Sequence, residues 1–551
     1  MKREIGKVSA TEKVPNTVDY FHFWTDRDVI LKPFDVIVVD QIKDSLTFAV
    51  VEEINHVTDT PSFLSAYVGS DFGNIDVETF SDRLGFNYIK ASVTGNTKSI
   101  FNPVIDGKKV RLATADEVKQ AYGLDEIKNP VCAGYFQMYS EIGAEEKVIV
   151  PVNIDRKDLI GPEAAHLNIA GISGLATKTS YAAFLIKNLQ DVYKSKKEDD
   201  KVSYIVFNVK GQDLLHLDEP SKDKKLEEQK DIYKELNIEP TPLENVNYLY
   251  PYSKLNKKLN AQTECDKETL KKQFDNKIAK TFAFTYEDSR ELIELFYSSV
   301  EDTTGTMESI LQVVEENDAF NLADWDSFRT VLHERMQAGG SRGKEIPVAS
   351  WRKFSRLISK NINNNIFRPN LSDGVDLFTV IQEISSGQIT VIDISHLNES
   401  IQSFVFGVVL KAVNRLRSGD SDHEHKNTPK KVVIFMDELN KYASKDIPKN
   451  SPILREILDV TERGRSLGIV LFGAEQFKSS IHDRVTGNCA NNVFGRSNSV
   501  ELSTRGYSYI NRTIKSLLTR LSKGELVLQS PKFRQMMKIN FPFPSYHQPK
   551  D

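Results

Sequence analysis

The chain has 551 residues, of which 40% are hydrophobic and 27% are charged, and its formal net charge is −5. The length suggests about two to four domains. The charge excludes a globally basic surface, so any nucleic-acid contact must be a local patch or a channel lining. The three cysteines, Cys132, Cys265 and Cys489, lie far apart in the sequence. Their spacing fits neither a metal-binding motif nor a disulfide framework. With no signal-peptide core and no apolar run long enough for a membrane span, we expect a cytoplasmic protein.

Residues 1–155 are rich in short apolar runs with many β-branched residues. Three such runs cover 35–40, 46–52 and 147–152, and turn-forming residues lie between the candidate strands. This pattern predicts a small β-barrel or a sandwich. The region shows no cluster of histidine and acidic residues, so we expect an assembly or docking domain.

The stretch 166–180 combines a short apolar strand, a glycine-bearing turn and the start of a helix. Glycines let backbone N–H groups converge on a phosphate, and the helix N-terminus adds partial positive charge. Lys178 would reach the phosphates, and the hydroxyl of Thr179 would bind Mg²⁺. The predicted nucleotide-binding residues are Gly171, Ser173, Gly174, Ala176, Thr177, Lys178, Thr179 and Ser180. The alternative is an ordinary strand-turn-helix connection with a solvated lysine, because Thr177 stands where the usual motif has glycine.

The remaining chain alternates between strands and helices. Apolar runs at 202–208, 388–394, 430–436, 468–473 and 492–495 predict a parallel α/β sheet. Between them, 218–375 is dense in charge and shows helical periodicity, which predicts a helical insertion. The lysines of 222–258 could contact DNA or form a solvated helix face. The interleaved acidic residues favour the second interpretation.

The strand at 430–436 runs directly into two carboxylates, Asp437 and Glu438. At the carboxyl end of a central strand, Asp437 would hold Mg²⁺ and Glu438 would orient or deprotonate the attacking water. The alternative is a strand that simply ends in solvent-facing acids. The order of the two motifs, a lysine-threonine loop followed by an Asp-Glu strand, favours a nucleotide hydrolase.

Polar residues after the next strands complete the predicted site. Gln476 follows the run 468–473 and could sense the terminal phosphate. Arg465 and Arg463 fall in what we predict is a basic turn, which suits an arginine finger. Positive charge at a helix C-terminus explains them equally well. Arg496 is a third candidate, as a sensor of bound nucleotide.

Taken together, the loop at 171–179, the Asp-Glu strand, the 463–468 segment and Gln476 resemble the HerA ATPases, within the HerA/FtsK group of ring-forming DNA translocases. The resemblance implies a RecA-like P-loop core at 156–217 and 376–551, the helical insertion at 218–375, and an N-terminal β-barrel at 1–155. It also implies ATP and Mg²⁺ as cofactors, a homo-hexamer with double-stranded DNA in its pore, and a partner effector on the N-terminal domain. HerA-like proteins of antiviral operons are paired with nucleases or sirtuin-like enzymes.

Three functions compete at this point. The first is an ATP-driven DNA translocase or helicase, with Lys210, Lys478 and Arg484 as candidate pore residues. The second is a scaffold whose ATP use controls activation of an effector enzyme, which the unusual loop and the negative charge favour. The third is a non-motor P-loop enzyme such as a kinase, against which the Asp-Glu strand argues. Thr177 argues more against fast, processive translocation than against ATP binding.

Overall fold

The computed structural model divides into two compact units. The first unit comprises Met1–Ile154, Tyr509–Leu521 and Glu525–Phe541, and the second comprises Asp155–Ser508, Ser522–Gly524 and Pro542–Asp551. The residues that the structure describes are 3–76, 84–142, 147–162, 164–172, 177–194, 201–254, 259–302, 304–337, 346–372, 374–421, 423 and 425–549.

A closed antiparallel β-barrel forms the core of the first unit. Its strands pair in the order β1-β2-β5-β4-β3-β6, with the bounds β1 (Glu4–Ser9), β2 (Tyr20–Asp26), β3 (Val36–Gln41), β4 (Ser45–Thr58), β5 (Gly85–Asn96) and β6 (Lys109–Leu112). Val38 and Phe48 are partners across β3 and β4, and both are buried inside. Closure leaves no unpaired sheet edge, which makes a small barrel self-sufficient. The predicted N-terminal β-barrel is confirmed.

Further elements of the first unit are α1 (Phe63–Gly69), α2 (Ala115–Tyr122), β7 (Pro130–Met138) and β8 (Val148–Asp155). A capping box begins α2: the Thr114 hydroxyl accepts from the N–H of Glu117, and the Glu117 carboxylate accepts from the N–H of Thr114. Arg111 of β6 donates to both carboxylate oxygens of Glu117 at 2.8 and 2.7 Å. This bidentate pair attaches α2 to the barrel.

A parallel sheet organises the second unit. Its strands are β9 (Leu167–Ala170), β10 (Val202–Asn208), β11 (Val246–Pro251), β12 (Ala279–Ala283), β13 (Val375–Asp376), β14 (Ile389–Asp393), β15 (Lys431–Met436), β16 (Ile469–Glu475) and β17 (Asn491–Phe494). They follow the order β13-β12-β11-β14-β10-β15-β16-β9-β17, and neighbouring strands are parallel. The central strands β10 and β14 are buried along their whole length, which explains their mainly apolar sequences. The predicted P-loop α/β core is confirmed.

Helices cover this sheet and connect its strands. Their bounds are α3 (Arg156–Leu159), α4 (Thr177–Lys194), α5 (Lys224–Glu228), α6 (Lys230–Glu235), α7 (Lys267–Asp275), α8 (Tyr286–Ser289), α9 (Thr306–Glu316), α10 (Trp325–Gln337), α11 (Val348–Ile362), α12 (Leu377–Gln382), α13 (Glu399–Ser418), α14 (Asn440–Ala443), α15 (Pro452–Leu467), α16 (Asp483–Asn488) and α17 (Ser499–Leu502). Toward the chain end, α18 (Arg512–Leu518), β18 (Glu525–Gln529) and β19 (Met537–Asn540) belong to the first unit. Among the described helices, none combines the length and apolar character that a membrane crossing needs.

The segment 218–375 differs from the predicted helical insertion. It contributes β11, β12 and β13 to the parallel sheet, with β11 hydrogen-bonded to β14. Helices α9, α10 and α11 of the same segment pack in one apolar core with α13 and α15. Sequence periodicity favoured helices here because these three strands are short and lie among long amphipathic helices. The C-terminal boundary also differs, since most of 509–541 belongs to the first unit and not to the ATPase core.

Candidate functional site

The loop after β9 lies at the carboxyl edge of the sheet, and helix α4 begins directly after it. Lys178, in the first turn of α4, is buried, and its Nζ donates a hydrogen bond to the carbonyl of Gly171 at 3.0 Å. The lysine therefore folds back toward Gly171, the residue that follows β9. Three predicted residues of this loop, Ser173, Gly174 and Ala176, lie outside the described residues. The side chain of Thr177 is not described either.

Gly171 is fixed between two neighbouring strands. Its N–H donates to the carbonyl of Glu475 at 3.0 Å, and the next N–H, of Ile172, donates to the carbonyl of Arg496 at 2.8 Å. A Cβ atom at Gly171 would lie 3.1 Å from the Cα of Gly495. The close approach of two backbones thus favours glycine at this position. The loop is anchored at its start by β16 and by the residues after β17.

Ser180 faces away from the predicted phosphate position. Its hydroxyl is buried and accepts a hydrogen bond from the side-chain amide of Gln548 at 2.9 Å. Helix periodicity explains this, because adjacent helix positions do not face the same side. Of the two hydroxyls that follow Lys178, the structure therefore assigns only Thr179 to the site.

The two halves of the predicted site meet through Thr179 and Asp437. Asp437 follows the last residue of β15 and is buried. The Thr179 hydroxyl donates to its Oδ2 across 3.4 Å, and the N–H of Glu438 donates to its Oδ1 at 2.9 Å. A hydroxyl beside a carboxylate offers the oxygen ligands that Mg²⁺ prefers. Strand β16 lies between β9 and β15, so the sheet order brings these residues together.

Glu438 has a strained backbone and two lysine partners. Its φ of 57° lies in the left-handed region, which costs a non-glycine residue about 1–3 kcal/mol. Its Oε1 accepts from Lys210 at 3.0 Å, and its Oε2 lies 2.7 Å from Nζ of Lys441. Lys210 also lies 3.5 Å from Oδ2 of Asp437. Backbone strain of this kind gathers at functional sites, so its presence supports a functional role for Glu438.

Charge within this cluster shifts several pKa values. Burial alone would raise the pKa of Glu438, but hydrogen bonds and charge from Lys441 and Lys210 outweigh it and hold the pKa below its ordinary value. Burial lowers the pKa of Lys178, and the nearby Asp437 carboxylate offsets this only in part. Glu438 is therefore ionised at neutral pH, as a proton acceptor must be.

Sequence reasoning missed Glu475, the last residue of β16. Its carboxyl is fully buried beside Asn168, and no described residue meets hydrogen-bond geometry with either oxygen. Burial raises the pKa of Glu475 to about 8, although the charges of Lys478 and Lys178 oppose the shift. The carboxyl is therefore protonated at neutral pH. The available signal was an acidic residue at the end of an otherwise apolar strand.

The structure locates Gln476 and Arg496 beside the loop. Gln476 is half-buried and follows the residue whose carbonyl holds Gly171. Arg496 has an exposed side chain, and its carbonyl accepts from Ile172. Both therefore lie at the carboxyl edge of the sheet, where a nucleotide would be within reach.

Arg463 and Arg465 occupy a different place, and the prediction that they lie in a turn is wrong. Both belong to α15, which ends at Gly468 immediately before β16. That end of β16 is the amino edge of the sheet, opposite the edge that carries Lys178. Arg463 pairs with Asp459 one helical turn away at 3.0 Å. Both arginines therefore lie on the edge of the sheet away from Lys178 of their own chain.

The described groups can perform one kind of chemistry together. Lys178 supplies positive charge, Thr179 and Asp437 supply hard oxygen ligands, and Glu438 supplies an ionised carboxylate. Polyphosphate binding, divalent-cation binding and water activation require these three functions respectively.

No family model matches the sequence, and no curated protein matches it either. Several solved structures follow a similar chain course. The plasmid coupling protein TrwB, in complex with the non-hydrolysable GTP analogue GDPNP, is 12% identical, with 72% of this chain and 90% of that chain covered and a TM-score of 0.45. An unbound form of the bacterial conjugative coupling protein TrwBdeltaN70 is 13% identical, with 72% and 89% covered and a TM-score of 0.43.

A viral protein shows a more restricted similarity. The genome packaging NTPase B204 from Sulfolobus turreted icosahedral virus 2, in complex with ATP-gammaS, is 12% identical, with 31% of this chain and 73% of that chain covered and a TM-score of 0.23. The fold is therefore assigned from the parallel strand order of the sheet and from helix α4, which follows β9.

Proposed function

We propose that this protein is a ring-forming ATPase of the HerA type, which couples ATP hydrolysis to DNA translocation or unwinding with a partner effector. The observation that carries the proposal is the 3.4 Å contact between Thr179 and Asp437, beside the buried Lys178. Residues of a loop and of a distant strand thereby form one site at the carboxyl edge of a parallel sheet, where nucleotides bind in α/β folds.

ATP and Mg²⁺ fit the donor groups of this site. Lys178 binds the phosphates, and its burial strengthens that attraction because the local dielectric is low. Thr179 and Asp437 hold the metal ion with oxygen ligands. Bound Mg²⁺ neutralises charge on the phosphate oxygens. Lys178 donates to the carbonyl of Gly171, and phosphate oxygens would replace that carbonyl as the stronger acceptor.

Glu438 activates the attacking water in this proposal. Its carboxylate is ionised, and it follows Asp437 directly, so a water beside the metal ion lies within reach. Lys210 and Lys441 occupy both of its oxygens in the present structure. Hydrolysis then requires at least one lysine to leave, and the phosphates offer Lys210 an alternative partner. Gln476 and Arg496 contact the terminal phosphate from the neighbouring strands.

A homo-hexamer completes the site with an arginine from the neighbouring subunit. Arg463 and Arg465 support this arrangement, because they lie on the edge of the sheet opposite the loop of their own chain. Their exposed side chains can meet a neighbour there. Double-stranded DNA passes through the central pore of the ring in this proposal.

Partner docking belongs to the first unit. The extension between β4 and β5, which includes α1, carries large apolar side chains that are mostly exposed. Phe63 and Ile75 are 98% and 94% exposed, and Leu84 is 80% exposed. Exposed apolar patches mark protein interaction sites. We infer that a nuclease or sirtuin-like effector binds this extension, as in antiviral defence operons.

A second candidate is an ATP-regulated scaffold with little motor activity. Two of the candidate pore residues are engaged within the chain: Lys478 donates to Asn492 at 2.8 Å, and Arg484 pairs with Glu462 at 2.6 Å. The third, Lys210, is paired with Glu438. DNA-stimulated ATP turnover separates the two candidates, because a translocase accelerates several-fold on double-stranded DNA whereas a scaffold keeps its basal rate.

Two variants test the ATPase site itself. Lys178→Ala should abolish ATP binding measured by calorimetry, whereas Lys194→Ala, on the same helix and paired with Glu244, should bind normally. Glu438→Gln should bind ATP yet hydrolyse it roughly 10²–10⁴-fold more slowly. Normal ATP affinity in Lys178→Ala would refute the phosphate-binding assignment.

A further inference from the structure

His216 is a buried histidine whose ring nitrogens form no hydrogen bond of ordinary geometry with the described residues. It ends the short 3₁₀ turn Asp213–His216 after β10 and is 2% exposed. Within the described part of the chain, neither of its ring nitrogens has a hydrogen-bond partner. Buried polar atoms are almost always paired, because an unpaired one loses its hydration without compensation. The unpaired ring nitrogens therefore point to a bound ligand at this position.

Two other metal-ligating side chains surround this imidazole. The Cys265 sulfur, an Asp266 carboxylate oxygen and a His216 ring nitrogen all lie within 4.8 Å of one another. Cys265 is buried, and Oδ2 of Asp266 lies 4.0 Å from Nε2 of His216. Oδ1 of Asp266 caps α7 by accepting from two backbone N–H groups. The cap fixes the carboxylate, so its second oxygen stays directed at the imidazole.

We propose that His216, Cys265 and Asp266 bind a zinc ion. The donor set of one nitrogen, one sulfur and one oxygen suits Zn²⁺, whereas Mg²⁺ and Ca²⁺ select oxygen ligands alone. On binding, Cys265 loses its thiol proton to solvent and ligates as the thiolate. Three protein ligands leave one tetrahedral position, which water fills. The ion connects the turn after β10 to the N-terminus of α7.

Glu219 orients the histidine in this site. Its Oε2 lies 3.6 Å from Nδ1 of His216, on the side of the ring opposite Asp266, and its Oε1 is held by Lys272 at 2.9 Å. A small rotation of the ring gives an Nδ1–H donor bond to Glu219 and leaves Nε2 for the metal. Carboxylates commonly hold zinc-ligating histidines in this way.

An overlapping trio contains His216, Glu219 and His547, whose ligand atoms also lie within 4.8 Å of one another. We assign the ion to the trio with Cys265 for two reasons. Glu219 is already paired with Lys272, and a buried thiolate binds Zn²⁺ more strongly than a half-exposed imidazole and an occupied carboxylate. The two trios give different spectra, so they can be distinguished.

Cobalt substitution in the full chain tests this site independently of ATP hydrolysis. The protein is purified without a polyhistidine tag, stripped with a chelator and titrated with Co²⁺. We expect saturation at one ion per chain, a thiolate-to-cobalt charge-transfer band in the near ultraviolet, and loss of the band when Zn²⁺ is added. Cys265→Ser should remove the band, and Cys132→Ser, which changes another buried thiol, should leave it unchanged.

Two conservative variants refine the assignment. Asp266→Asn keeps a helix-capping side chain but removes the charge, and it should weaken cobalt binding without unfolding α7. Glu219→Gln should weaken binding roughly 10–100-fold while the band persists. Saturable binding without the charge-transfer band, abolished by His547→Ala, would move the ion to the other trio and overturn the assignment. Absence of saturable binding in the unmodified chain would overturn the site altogether.

Discussion

Thr179 Oγ1 and Asp437 Oδ2 lie 3.4 Å apart although 258 positions separate the two residues in the chain. The contact exists because β16 joins β9 on one side and β15 on the other. Their shared register brings the end of each strand to the same edge of the sheet. The first turn of α4 and the end of β15 thereby form one candidate site.

The ion pairs of Glu438 predict a change in the pH dependence of hydrolysis. Burial raises the pKa of Glu438, but Lys441 and Lys210 together hold it below its ordinary value, so Lys210→Ala should raise that pKa. Because the ionised form is the active one, activity falls as pH drops through this pKa. The acid limb of the rate profile should therefore move to higher pH in the variant.

The pH profile of kcat/KM for ATP between mildly acidic and neutral pH measures this shift, because that ratio reports the free enzyme, in which Lys210 is paired with Glu438. Lys445→Ala is a matched control, because Lys445 pairs with Asp483 and not with Glu438. An acid limb that stays in place in Lys210→Ala would show that another group accepts the proton.

Glu475 predicts that the free energy of unfolding falls with rising pH. Its pKa is about 8 in the folded chain and about 4.3 in an unfolded one. The folded state therefore holds the proton more tightly. The contribution of Glu475 to the free energy of unfolding is fully present below the pKa that the residue has in the unfolded chain. It is lost as pH rises through the pKa that the residue has in the folded chain. The loss is on the order of a few kcal/mol.

Glu475→Gln should remove this pH dependence, because an amide does not titrate. The variant should gain melting temperature relative to the original chain as pH approaches 8, the pKa of Glu475, with the largest gain at higher pH. Thermal unfolding over this pH range measures the difference. Glu462→Gln, which removes a partly exposed carboxylate, should show the original profile. Parallel curves for Glu475→Gln and the unmodified protein would contradict the buried, protonated state.

Arg465 predicts complementation between subunits. Arg465→Ala should fold, bind ATP and form rings, yet hydrolyse roughly 10³–10⁵-fold more slowly, which is the contribution of an arginine finger elsewhere. In a ring that also contains Lys178→Ala subunits, some interfaces combine an intact Lys178 from one subunit with an intact Arg465 from its neighbour. Those interfaces should regain turnover that neither variant has alone.

Differently tagged subunits establish that the rings are mixed before turnover is measured. Recovery identifies a finger that acts between subunits. If mixed rings remain inactive, Arg463 is the next candidate on the same edge, and Arg496 is the candidate for action within one chain.

The exposed extension of the barrel predicts where an effector binds. Phe63→Ser combined with Ile75→Ser removes two highly exposed apolar side chains and should abolish capture of the effector in a pull-down. ATP turnover and ring size should not change. Deleting 1–155 is a poorer test, because it removes β7, with which β19 of the same unit pairs through Tyr135 and Asn540. Val500→Ser, an exposed apolar residue of the second unit, is the control.

The sequence by itself determined the local elements and their order. The mainly apolar strands β9, β10, β14, β15 and β16 were predicted because strands buried on both faces are nearly continuous in apolar residues. The pairing of a lysine-threonine loop with an Asp-Glu strand identified Lys178, Thr179, Asp437 and Glu438 as one site. These signals lie within a few neighbouring residues, so local physical chemistry is enough to recognise them.

Only the tertiary structure decided which distant groups meet. It paired Lys210 with Glu438, buried Glu475 beside the loop, and directed Ser180 toward Gln548. It also moved Arg465 to the opposite edge of the sheet. His216 and Cys265 have no motif spacing, yet the turn after β10 and the start of α7 bring them together. Burial and through-space contact depend on sheet order and register, which connect residues hundreds of positions apart and leave no local pattern in the sequence.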